Sequence, residues 1–153
     1  MPIEAPLSKY KRNNLKIYIV VCMVVALWFG YDGYLNKTFI AKHTDEAGHA
    51  NSTLIFNRVA PPFSVAGAVL LGAYFWVIRG RKVVALEDRL VIAGKTEISY
   101  DAIEKIDKTH FDTRGQFTVV YTGGNGREVR QTLSERQYDN LRPILDHLVA
   151  QIS

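Results

Sequence analysis

The sequence predicts an α+β membrane protein: a two-helix transmembrane hairpin, then an antiparallel β-barrel or sheet of about six strands, capped by a C-terminal amphipathic helix. Three observations predict it. Two apolar runs, 15–31 and 62–78, contain no acid, and their only base is Lys16 at one edge. From Lys82 the apolar residues come instead in short strand-like runs between turn residues. From Tyr138 the apolar period becomes helical.

Residues 1–14 read as an N-terminal tail, and 15–34 as the first span. Each apolar run is near the lower length that crosses a hydrocarbon core of about 30 Å. Tyr31, Tyr34 and Trp76 extend them with side chains suited to the interface. The first run has a basic approach but no small-x-small cleavage site, so it reads as a retained span. Residues 61–79 form the second span, with Pro61-Pro62 placed at its first turn, where a proline loses no hydrogen bond.

Bases crowd the ends of the pair: Lys9, Lys11, Arg12 and Lys16 before it, Arg79, Arg81 and Lys82 after it. These are the expected membrane-surface residues. Orientation follows such bases, so both termini are expected in the cytoplasm. The net charge of +4 is thus largely orientation charge. Residues 79–153 carry twelve bases and eleven acids, with no basic stripe for nucleic acid.

Each span carries small residues at a spacing of four: Cys22, Ala26 and Gly30 on the first, Ser64, Ala68 and Gly72 on the second. Such rows let helix backbones approach. In an antiparallel pair the expected register sets Gly30 opposite Ser64, Ala26 opposite Ala68 and Cys22 opposite Gly72. The rows could also face another subunit, which leaves a homo-oligomer open. No Asp, Glu, Lys, Arg or His lies mid-span, which argues against a one-copy transporter or channel.

Residues 35–60 form the expected extracytoplasmic loop. His43, Asp45, Glu46 and His49 match no metal-ligand spacing and read as a solvated polar loop; no metal or other cofactor is expected. Asn36-Lys37-Thr38 and Asn51-Ser52-Thr53 are glycosylation sequons by pattern.

Residues 80–153 are the expected cytoplasmic domain. Strand-like runs fall at 82–86, 89–93, 96–100, 102–108, 116–122 and 127–133, with an emphatic turn at Gly123-Gly124-Asn125-Gly126. Ser134 and Gln137 suggest a capping box, and Leu133 with Tyr138 a hydrophobic staple. Pro143 then falls inside the helix and should bend it.

The order of strands and a capped terminal helix, with SYDAIEKIDKTHFD followed by GQFTVVY, resembles the bacterial pleckstrin-homology-like domains found beside membrane spans. Tyr100, Ile103, Ile106 and Asp107 match their phrase tyr-x-x-ile-x-x-ile-asp. The resemblance covers residues 81–152. It implies a partly open barrel plugged by the helix and used for binding or scaffolding. One departure is the Glu87-Asp88 turn, whose carboxylates repel the inositol-phosphate headgroups that relatives meet with bases near the first hairpin. The alternative fold is a five-stranded OB barrel, which usually places its helix between strands.

His110, Asp112 and Arg114 cluster in one loop, but no nucleophile accompanies them, so no enzyme is expected. With Phe111 as an anchor, they are the candidate protein contact; otherwise Phe111 closes the core. The expected function is a membrane-tethered module that recruits a protein partner at the cytoplasmic face. The alternative is a structural or accessory subunit of a larger membrane complex, assembled through the hairpin.

Overall fold

The computed structural model of the protein describes residues 1–152. The chain forms two compact units, and one is discontinuous. Asn13–Val77 make one unit; Met1–Arg12 join the chain from Ile78 onward in the other.

In the discontinuous unit, all six expected strands are present as β2 (Lys82–Ala85), β3 (Arg89–Ile92), β4 (Thr96–Ser99), β5 (Ile103–Asp107), β6 (Gln116–Thr122) and β7 (Glu128–Ser134). A seventh, β1 (Ile3–Pro6), comes from what the sequence presents as a tail. It pairs antiparallel with β2, with Ala5 opposite Val83 and Pro6 opposite Lys82. Among the described residues there are two antiparallel sheets, β1-β2-β3-β4 and β5-β6-β7. They remain separate sheets, so the barrel expected from the sequence is not closed.

The tail becomes a strand because Ala5 and Leu7 have a core to enter. Alternate positions of a strand face opposite sides. Ala5 is fully buried while Glu4 and Pro6 are exposed. The same alternation buries Val83 and Ala85 of β2, Leu90 and Ile92 of β3, and Phe117 and Val119 of β6. Lys82 donates to the Glu4 carboxylate at 2.5 Å across the β1–β2 pair. Beyond β1, Leu7 N–H donates to Arg81 O at 3.0 Å, and Leu7 bridges Tyr138.

That bridge explains where the last helix begins. The expected capped start at Ser134 is a tight turn instead: Ser134 O accepts from both Gln137 N–H and Tyr138 N–H. Tyr138 is drawn to Leu7, and Asn140 takes a positive φ of 62°. Helix α5 then runs Leu141–Ile152, covering the core with Leu141, Ile144, Leu145 and Leu148. Pro143 therefore falls in the first turn, where its missing N–H costs no helical bond, and the expected reason for a bend is gone.

In the other unit, α1 (Lys9–Gly30, whose first turn belongs to the discontinuous unit) and α3 (Ser52–Ile78) are apolar and of membrane-spanning length. A π-helical turn, Tyr31–Leu35, ends α1. The 35–60 segment is mostly helical. Asn36 caps the short α2 (Lys37–Lys42) by accepting from Phe39 N–H, and Asn51 caps α3 by accepting from Leu54 N–H. Both sequon asparagines thus serve as helix caps, the role their short polar side chains suit.

The early cap places Pro61 and Pro62 inside α3, not at its start. A proline leaves the carbonyl four residues earlier without its helical partner. Those carbonyls belong to Asn57 and Arg58. Tyr34 Oη donates to Arg58 O at 3.0 Å. Gly33 lies against the Asn57 carbonyl, where an added Cβ would stand 2.8 Å from the oxygen. Pro62 thereby frees the Arg58 carbonyl, which Tyr34 of the π-turn meets.

Candidate functional site

The helical pair brings most of the predicted small residues inward, one turn out of the expected register. Ala26 and Ala68 are both buried. A Cβ on Gly30 would stand 3.8 Å from Pro61, and one on Gly67 would stand 3.8 Å from Cys22 Sγ. So Cys22 faces Gly67, not Gly72, and Gly30 faces Pro61, not Ser64. Gly72 has nothing within 4 Å of a Cβ position. The cause of the shift is the far end of the pair. There Phe29 meets Phe56 edge-on at 5.4 Å, and Arg58 donates from Nε to Gly33 O at 2.9 Å. The Arg58 guanidinium also lies 5.9 Å from the Tyr34 ring. Gly33 and Gly67 are the close-approach glycines that spacing alone misses, because neither belongs to a four-residue row.

The basic residues flanking the helices are not one equivalent set. Lys9, Arg12, Lys16 and Arg79 are exposed, while Lys11 and Arg81 are half-buried. Lys82 is held by Glu4. The first turn of α1 is fixed by Ser8, which is fully buried. Its hydroxyl donates to Arg136 O at 2.6 Å and accepts from Lys11 N–H at 3.1 Å. Lys9 N–H donates to the Asp139 carboxylate at 3.0 Å, an anion at the positive end of the helix dipole.

The candidate contact loop is divided. His110, Asp112 and Arg114 are exposed, but Phe111 is 5% exposed and points into the core. Residues 110–115 are not a plain loop: Phe111–Arg114 form one helical turn, α4, closed by Gly115 at φ 63°. That turn directs Phe111 inward, edge-on to Phe117 at 5.9 Å. Arg142 of α5 covers the Phe111 ring at 4.9 Å and donates to Asp112 at 2.9 Å. The Asp112 carboxylate raises the Arg142 pKa, so that guanidinium stays charged. Phe111 is therefore a packing residue, and its expected role as an exposed anchor is withdrawn. Phe111→Ala should cost about 3–5 kcal/mol, as for other buried aromatic truncations. Arg114→Ala should change stability by less than about 0.5 kcal/mol. Denaturant titration of the purified chain checks both; equal effects would contradict this packing.

Asp112 and Arg114 line an open groove of about 810 Å³. Its other walls include Tyr10 from the first turn of α1, Ser134 through Arg136 at the end of β7, and Arg142 from α5. Sequence reading did not group Tyr10, Arg136 and Arg142 with Arg114, because they lie far apart in the chain.

Three titratable groups elsewhere take part in structural hydrogen bonds. Asp107 accepts from Thr109, whose hydroxyl and N–H keep its carboxyl below the usual range. Tyr100 Oη donates to Leu86 O at 2.6 Å, and burial pushes its pKa up. His147 Nε2 lies 3.3 Å from the same carbonyl. Comparisons with protein-family models, curated proteins and solved structures find no match to the chain.

Proposed function

We propose that this chain is an integral protein of a bacterial inner membrane, with both termini cytoplasmic, and that its discontinuous unit is a pleckstrin-homology-like domain that recruits a protein partner there. The observation that carries this reading is the position of the helical pair in the chain. It is inserted between β1 and β2, which are neighbours in one sheet. If α1 and α3 cross the bilayer, the domain is tied to it by two connections and both ends lie on one side. Bases flanking both helices favour the cytoplasmic side. Antiparallel strands followed by a core-covering terminal helix support the domain assignment.

A second reading makes the chain an accessory subunit assembled through its helices. Gly72 favours it, because its surface is open to another helix. Affinity purification separates the two. One bait is the full chain; the other carries an unrelated two-span hairpin in place of residues 13–77. Recovery of the same protein by both supports recruitment by the domain. Recovery by the native chain alone overturns that reading in favour of the second.

A further inference from the structure

We propose that the groove between α4, the 134–136 turn and α5 binds the headgroup of an anionic phospholipid through its phosphodiester. This rests on the membrane reading above. Arg114 and Arg136 are exposed, and among the described residues neither forms an ion pair. Arg142 is the fixed wall, oriented by Asp112. Guanidinium groups bind phosphate oxygens through paired, charge-assisted hydrogen bonds.

Position argues for a lipid source. Tyr10 lines the groove and is 59% exposed. It stands on α1, whose uncharged run begins at Ile17, about 10 Å further along the helix axis. That separation is of the order of the headgroup layer, and tyrosine suits that depth.

Charge argues for a diester. Arg114, Arg136 and Arg142 stand against Asp112 and Glu135, leaving a single formal positive charge in the groove. Glu135 lies beside Gly115: a Cβ there would stand 2.5 Å from its carboxylate. One net positive charge matches the single charge of a phosphodiester, and the two carboxylates disfavour a more highly charged phosphomonoester. The site is also remote in sequence from the Glu87-Asp88 turn, which carries no comparable cluster of bases.

The test uses the purified full chain in mixed micelles, with bound lipid counted by native mass spectrometry. The probes are phosphatidylglycerol, phosphatidic acid and phosphatidylcholine. The expected result is one phosphatidylglycerol held about tenfold more tightly than either of the others. The double variant Arg114→Gln/Arg136→Gln should lose about that factor, while Arg130→Gln, further along β7 and outside the groove, should not. Both variants alter exposed side chains, and circular dichroism confirms their folding. Equal retention by the double variant and the native chain overturns the proposal. So does full competition by glycerol phosphate, which would indicate a free phosphate ligand, or by an acidic peptide, which would indicate a protein segment. Alkaline carbonate extraction tests the membrane reading separately: release of the chain sinks that reading, whatever the lipid counts show.

Discussion

Residues 80–153 produced alone should fail to unfold cooperatively, whereas residues 1–12 joined to 78–153 should do so. The truncated fragment lacks β1, and with it fully buried Ala5, nearly buried Leu7 and fully buried Ser8. It loses the whole β1–β2 ladder and the Leu7–Tyr138 bridge that positions the start of α5. Single large truncations in a core cost about 2–5 kcal/mol. Removing this entire set should therefore approach the whole stability of a small domain, about 5–15 kcal/mol. The uncovered β2 edge would also invite aggregation. In the joined form, a linker of about ten Gly/Ser residues, reaching about 17 Å, can replace the helices. Thermal unfolding followed by circular dichroism decides it. A sharp transition in the truncated fragment, at the temperature of the joined one, would show that β1 is dispensable.

Oxidation should cross-link the Gly67→Cys variant to the native Cys22 and leave the Gly72→Cys variant unlinked. Cys22 is the chain's only cysteine, so each variant has one intramolecular pair to form. A Cβ at position 67 would stand 3.8 Å from Cys22 Sγ, within reach of a disulfide after a small rotation, while position 72 is open. The companion change is Gly33→Leu, which pushes a side chain against the Asn57 backbone, where even a Cβ falls at 2.8 Å. Overpacking of that kind costs about 1–3 kcal/mol. Added to the Gly67→Cys variant, it should abolish the disulfide to Cys22, whereas Gly72→Leu should preserve it. Electrophoretic mobility before and after reduction reports each outcome. A link at position 72 in place of 67 would restore the register that the four-residue spacing suggests.

The two cases share a cause. In the strands from Lys82 onward, patterning with period two and the Gly-rich turn were legible, because each run is specified by its own residues. The apolar helices were legible for the same reason. In the groove, only Arg114 and its neighbours could be named, since Tyr10, Arg136 and Arg142 become neighbours through packing alone. Phe111 illustrates the limit within a single loop. Its chemistry suits an anchor or a core residue equally, and the α4 turn with Gly115 in the left-handed region decides for the core.

By itself the sequence determined the local elements: two long apolar helices, six strands, a terminal amphipathic helix, and basic residues around the helical pair. Those depend on side chains within one or two turns of each other. Only the tertiary structure decided that residues 3–6 are a strand, since a four-residue segment has no stable pairing until β2 offers it one. It likewise decided where α5 starts, because Tyr138 leaves the helical pattern to meet Leu7. It set the helix register where Tyr34 of the π-turn reaches the Arg58 carbonyl that Pro62 frees and Gly33 closes on the Asn57 backbone. Long-range partners, invisible to any local period, settled each of these.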